Sequence, residues 1–434
     1  MEKIEQFLKR RKQLASMMGN GVAVIPTAPE RLRNRDAHYP YRFDSYFYYL
    51  TGFKEPEAVL AIVAEQSESA RCILFCRAKD PEREIWDGFR FGPDRAMEEF
   101  GFDEAYPISE IDQKLPELLA NQTAVYSAFG NDATWDQRIA GWLNQVRAQN
   151  RNGVAVPGEI HDYRILLDEM RLIKDDSELQ IMRRAADIST QAHRQAMQAT
   201  RPGRYEYEIE AELMHTFYRF GARSPAYTSI VAGGANACIL HYIENCAQLN
   251  RGDLLLIDAG CELEGYASDI TRTFPVNGRF SPVQKDIYQL VLSAQMAAID
   301  QARPGNTWDD PHQAALRILA QGFIDFGLCQ GSVESVLESE DYKRFYMHRT
   351  GHWLGMDVHD VGEYKQQGEW RILQPGMTLT VEPGCYIRPA ENVPQHFWDI
   401  GVRIEDDALI TADGNELLTA AAPKTVTEIE ELMQ

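Results

Sequence analysis

The chain has 434 residues, a formal net charge of −21, 44% hydrophobic and 25% charged residues, a globular balance with room for two or three domains. So acidic a chain excludes an extended nucleic-acid groove and an anionic membrane face as partners. No window reaches the roughly 18 apolar residues of a membrane span, and seven scattered cysteines without a Cys-x-x-Cys pair read as reduced thiols of a cytoplasmic protein.

The N-terminal "MEKIEQFLKRRKQLASMMGNG" predicts an amphipathic helix with Ile4, Phe7, Leu8 and Leu14 on one side. Charge interrupts its apolar positions, which sets it apart from a signal peptide. "GVAVIPT", "AVLAIVAE", "RCILFCRA" and "GVAVPG" read as strands, and residues 93–100, 108–120 and 132–148 as helices. Cys72 and Cys76 flank "ILF" on one such strand, ~13 Å apart and too far for a disulfide. Alternating strands and helices predict an N-terminal α/β domain over residues 1–172. Ser177 with Gln180 then reads as a capping box that opens a second domain, residues 173–434.

That second part contains itself twice. "SELQIMRRAADISTQAHRQAMQATRPG" is echoed by "SPVQKDIYQLVLSAQMAAIDQARPG", and each is followed by a helix ending in Phe-Gly, at Phe220-Gly221 and Phe326-Gly327. "GDLLLIDAG" is echoed by "GMTLTVEPG"; Gly252 precedes Asp258 by six residues and Gly376 precedes Glu382 by six. Four matches in one order predict a diverged repeat with pseudo-twofold symmetry.

Within the first copy, the aliphatic run 254–257 leads straight into Asp258, with Asp269 close behind. A buried carboxylate needs a neutralising partner, yet Arg272 is the only basic residue nearby. A hairpin turning at Leu263-Glu264 would set Asp258 across from Asp269, and Glu382 and Glu405 are symmetric about Val393-Pro394, so two hairpins would aim four carboxylates at one place. "MHRTGHWLGMDVHD" adds His348, His352 and His359. Imidazole beside carboxylates, without thiolates, suits divalent ions such as Mn²⁺, Co²⁺ or Zn²⁺.

The ordered set Asp258, Asp269, His352, Glu382, Glu405, in the contexts "IDAG", "SDITRTF", "GHWLG", "VEPG" and "RIED", resembles the five-ligand signature of the pita-bread metallopeptidases. This likeness covers about residues 177–420. Segments such as "RNRDAHYPYRFDSYFYYLTGF", "EIWDGFRFGP" and "CILHYIEN" are similar to aminopeptidase P, the Xaa-Pro aminopeptidases.

The resemblance implies an α/β fold with a creatinase-like N-terminal domain, followed by a pita-bread catalytic domain. It implies two divalent ions per subunit, manganese by likeness to bacterial relatives, and a homo-oligomer acting on peptides with an Xaa-Pro N-terminus. Asp258 would chelate one ion, His352 and Glu382 would favour the other, and Asp269 and Glu405 would bridge. Glu382 would also carry a proton to the leaving nitrogen. His241 and His359 resemble outer histidines that line the proline site and hydrogen-bond the tetrahedral intermediate. His348 and Arg403 match positions near the leaving side. Asp36 and Trp86 are candidate substrate contacts in the first domain, beside the simpler readings of an N-cap and a core indole. Cys385 stands where the family often has a larger apolar residue, a change expected at the pocket wall. A prolidase, restricted to Xaa-Pro dipeptides, is the nearest alternative, and a non-catalytic binding module on the same fold is the remote one.

Overall fold

The computed structural model describes residues 2–65 and 70–434, which form two compact units, Met1–Asp168 and Glu169–Gln434.

In the first unit the opening helix spans Glu2–Met18. Six strands follow: β1 (Gly21–Pro26), β2 (Val59–Ala64), β3 (Ala70–Cys76), β4 (Glu104–Pro107), β5 (Ala124–Tyr126) and β6 (Glu159–His161). They form one mixed sheet in the order β4-β3-β2-β1-β5-β6. Helices Gly92–Phe100, Ile111–Leu119 and Ala133–Arg147 lie where the periodicity puts them. Leu115, Leu119, Trp142 and Val146 join Val22, Val24 and Phe75 in one buried cluster. The expected strand "GVAVPG" is absent: residues 153–158 are irregular, and the sheet takes Ala124–Tyr126 and Glu159–His161 instead. Pro157 lacks the ladder donor and the glycines at each end favour turns, so this stretch yields to its neighbours.

The second unit opens with helix Asp176–Ala199. Its cap is Asp175, whose side chain accepts from Ser177 N and Glu178 N in a box completed by Glu178, two residues before the expected Ser177 start. A carboxylate facing the positive helix end displaces the hydroxyl as cap. The second copy uses the Ser-x-x-Gln box itself, Ser281 with Gln284, at the head of helix Pro282–Gln301. Helix Glu206–Arg219 packs on the first long helix and Asp310–Asp325 on the second. Gly252 and Gly376 both have φ above +90°, turning the chain into equivalent strands. The repeat seen in the sequence is therefore a repeat of helix pair, left-handed glycine and strand.

The strands of this unit are β7 (Ser224–Pro225), β8 (Ile230–Gly233), β9 (Leu254–Asp258), β10 (Cys261–Leu263), β11 (Tyr266–Ala267), β12 (Thr271–Pro275), the short hairpin β13 (Lys365–Gln366) and β14 (Glu369–Trp370), then β15 (Thr378–Val381), β16 (Gly384–Ile387), β17 (Ile400–Arg403), β18 (Asp406–Ile410) and β19 (Asn415–Leu417). β9 lies between β8 and β12, and β15 pairs with β18. Their inner faces and the four helices share one apolar core that includes Leu255, Ile257, Tyr288, Leu319, Val381 and Ile404. Among the described residues no helix is long and apolar enough to cross a membrane.

Candidate active site

Each carboxylate is placed by strand register. In the first hairpin Asp258 lies opposite Thr271, and Leu263 opposite Tyr266. The turn is therefore Glu264-Gly265, both at positive φ as a type I′ turn requires, one residue later than Leu263-Glu264. This moves the register by two residues. Because side chains alternate with period two, Asp269 keeps the face it would have had across from Asp258. In the second hairpin the flanking pairs Val381↔Asp406 and Gly384↔Arg403 set Glu382 level with Glu405, as read from the sequence. Glu405 N donates to Thr271 O, joining the two hairpins.

His352 is pinned by its own backbone. Its N–H donates to Thr380 Oγ1 and its carbonyl accepts from Thr380 N. The imidazole Nδ1 lies 2.9 Å from the Trp353 carbonyl. A carbonyl only accepts, so Nδ1 carries a proton and Nε2 is the nitrogen turned inward. Nε2 is 3.4 Å from Asp269 Oδ2 and 3.7 Å from Glu382 Oε1. Asp269, His352 and Glu405 present ligand atoms within 4.8 Å of one another. Tyr227 Oη lies 2.6 Å from Asp258 Oδ1 and also contacts Asp269 Oδ1. All five expected ligands line one cavity of ≈ 430 Å³ with Tyr227, His241, His348, His359 and Arg403.

So many buried acids cannot all ionise on protein contacts alone. Burial, with the charge of Asp258, raises the Asp269 pKa. Burial, with Asp269, Glu382 and Asp258, pushes Glu405 well above the carboxylate range. Burial lifts Glu382 to about 7, against the pull of His352 and Arg403. Burial lowers the His352 pKa, but the Asp269 hydrogen bond and the Glu382 and Asp269 charges win and take it to about 9. Oxygen-rich, charge-frustrated and completed by an imidazole whose inward Nε2 can exchange its proton for an ion, this donor set fits divalent cations in place of protons.

The family model for metallopeptidase family M24 matches residues 180–412, and that for the aminopeptidase P N-terminal domain matches residues 7–126. The chain belongs to the M24 metallopeptidases. An Xaa-Pro aminopeptidase of Haemophilus influenzae is 48% identical over 431 residues, covering 99% of this chain and 97% of that protein. The structure of Pseudomonas aeruginosa aminopeptidase PepP superposes with a TM-score of 0.97 at 52% identity, covering 99% and 98% of the two chains. Escherichia coli aminopeptidase P, solved as a variant with substrate, gives 0.97 at 45% identity with the same coverage. The fold is accordingly the M24 pita-bread domain behind an aminopeptidase P N-terminal domain, and the chain is a hydrolase.

For this M24 chain the structure also answers which cation serves which acid. Arg272, nearest in sequence, turns away into the core and pairs with Asp406 at 2.7 Å. Arg403 is the partner of Asp258, Nη2 to Oδ2, 2.6 Å. Arg403 Nη1 donates to Tyr386 Oη at 3.1 Å, and that hydroxyl lies 2.8 Å from His348 Nε2. His348 Nδ1 donates to the Arg349 carbonyl, so Nε2 accepts from Tyr386, and Arg403 donates outward to both Tyr386 and Asp258. Burial, then the Arg403 charge, drops the His348 pKa to about 3, which keeps it neutral in that role.

Tyr227, Tyr386, Thr271 and Asp407 escaped the sequence reading. Thr271 Oγ1 donates to Glu405 Oε2 at 2.6 Å, and Asp269 N donates to Asp407 Oδ2 at 3.2 Å. Asp407 stands two residues after Glu405 in "RIEDD", the one local signal that was available. Three expectations change. Trp86 is 83% exposed, so it is no core indole, and Asp36, also exposed, caps no helix. Cys385 is fully buried in the core of the second unit and stays off the cavity wall. His241 is exposed and lines the cavity, where simple packing was the alternative.

Proposed function

We propose that this chain is a dinuclear-metal Xaa-Pro aminopeptidase, which removes the first residue from peptides with proline in second position, with Mn²⁺ as its working ion. The convergence of Asp269, His352 and Glu405 beside Asp258 and Glu382 in one cavity carries the reading. These five residues hold the ions. Such a pair, when bound, supplies Lewis acidity that makes water nucleophilic near neutral pH and polarises the scissile carbonyl.

The protein's own groups do the rest. Proline's amide nitrogen bears no hydrogen, so it leaves only when protonated. Glu382, on the wall of the cavity, takes a proton on its carboxylate and passes it to that nitrogen. His359 lies against His352, ring centroids 4.2 Å apart, and with His241 lines the substrate cavity, where each can donate to the substrate carbonyl region. The His348–Tyr386–Arg403 chain fixes Asp258 and forms the wall of the leaving side. Asp36 and Trp86, exposed on the first unit, are assigned to substrate contact within a cytoplasmic homo-oligomer.

The test is hydrolysis of Arg-Pro-Pro and Arg-Pro after chelation, and again after adding Mn²⁺. Mn²⁺-dependent release of Arg from the tripeptide is expected. Cleavage of the dipeptide alone would make the chain a prolidase. No cleavage of either with any divalent ion would leave a binding module.

A further inference from the structure

His352 and His359 begin and end one short loop, "HWLGMDVH". Its first end is tied to β15: Leu354 N donates to Thr378 O and Thr380 N to His352 O. At the other end the residue after His359 is Asp360, a carboxylate whose side chain is 1% exposed. Arg171 Nη2 reaches Asp360 Oδ1 at 2.6 Å and Lys174 Nζ reaches Oδ2 at 2.9 Å, each cation itself only 1% exposed. Arg171 also holds Asp357 at 2.8 Å. Asp360 N donates to the Trp353 carbonyl, the same oxygen that takes the His352 Nδ1 proton. A Cβ on Gly355 would lie 2.1 Å from Asp360 Oδ2, so the loop closes tightly over the carboxylate.

Buried ion clusters of this kind gain little stability over a packed apolar cluster, because the desolvation cost offsets the attraction. Here the cluster sits where it can fix geometry. We propose that Asp360, clamped by Arg171 and Lys174, is a positioning residue that sets His359 against His352. It acts through His359 and touches no substrate. This rests on the reading of His359 as a substrate contact.

A double-mutant cycle tests it. kcat/KM for Arg-Pro-Pro is measured with Mn²⁺ for the parent, His359→Gln, Asp360→Asn and the double variant, each checked for a cooperative thermal transition. His359→Gln is expected to lower kcat/KM about 100-fold and Asp360→Asn about tenfold. The double variant is expected to equal His359→Gln alone, since nothing remains to be positioned. A further tenfold loss in the double variant, or full activity of Asp360→Asn, would overturn the proposal. An inert His359→Gln would overturn the reading of His359, and the proposal with it, without reference to Asp360. If Asp360→Asn does not fold, Lys174→Met enters the same cycle, with the same non-additivity expected.

Discussion

Tyr227 illustrates what a single residue adds. Its hydroxyl sits between Asp258 Oδ1 and Asp269 Oδ1, buried among groups that raise its own pKa well above the usual phenol range, burial first and the two aspartates next. One hydroxyl proton cannot satisfy both acids, but the oxygen fixes where each points. Tyr227→Phe keeps the ring and its packing and frees both carboxylates to rotate. Mn²⁺ affinity of the metal-free protein should fall about tenfold, the scale of losing a partner that orients a ligand. Calorimetric titration with Mn²⁺ reads this directly, and an unchanged dissociation constant would show that the hydroxyl orients neither aspartate. Residues of this kind were illegible in the sequence. Tyr227 lies 31 positions before Asp258 in "SPAYTSI", which has no motif, and proximity pointed to Arg272 where the fold uses Arg403.

Elements were easier to read, because hairpins obey arithmetic. Counting residues about Val393-Pro394 set Glu382 level with Glu405. The first hairpin was misread by one residue at its turn, since Glu264 had to accept a φ of 51°, rare for a side chain other than Gly or Asn. The error did not change which face carries the acids, since a two-residue slip preserves side-chain direction. What the count could not supply is how tightly the strands close behind the site. A Cβ on Gly260 would lie 1.7 Å from the Ser268 carbonyl oxygen, backbone that cannot rotate away. Gly260→Ala should therefore cost about 3 kcal/mol or more, or prevent folding. Gly252→Ala meets nothing within 4 Å and carries only the penalty of φ +98°, about 1–2 kcal/mol. Urea denaturation of the two variants separates the effects, and equal losses would show that close approach at Gly260 is not the cause.

The whole second unit holds a pairing that its pseudo-twofold repeat does not impose, because His193 lies on the first helix of its copy and His312 on the second helix of its own. Each copy sends one buried histidine from a helix to the segment beside a candidate ligand. His193, on Asp176–Ala199, donates Nε2–H to the Ala259 carbonyl beside Asp258. His312, on Asp310–Asp325, meets Thr350 Oγ1 at 2.8 Å, and the Thr350 carbonyl accepts from Glu382 N. Burial holds both near a pKa of about 4, below the ordinary 6.5, so the fold requires them neutral. The unfolded chain binds protons at these positions between pH 6.5 and 4 and the native state does not. Their contribution is therefore complete above pH 6.5 and disappears as the pH falls to 4. By pH 5 it amounts to about 2 kcal/mol lost at each histidine. Glu382, Asp269 and Glu405 act in the opposite sense in the metal-free protein, because acids with raised pKa values bind protons more readily folded than unfolded. The slope of the parent alone would mix the two. The informative quantity is the difference between parent and His193→Gln or His312→Asn, each of which keeps a polar side chain but cannot titrate in this range. Urea unfolding at pH 7 and pH 5 should show the parent losing about 2 kcal/mol more than either variant on acidification. Parallel losses in all three would mean that neither imidazole is held neutral by the fold.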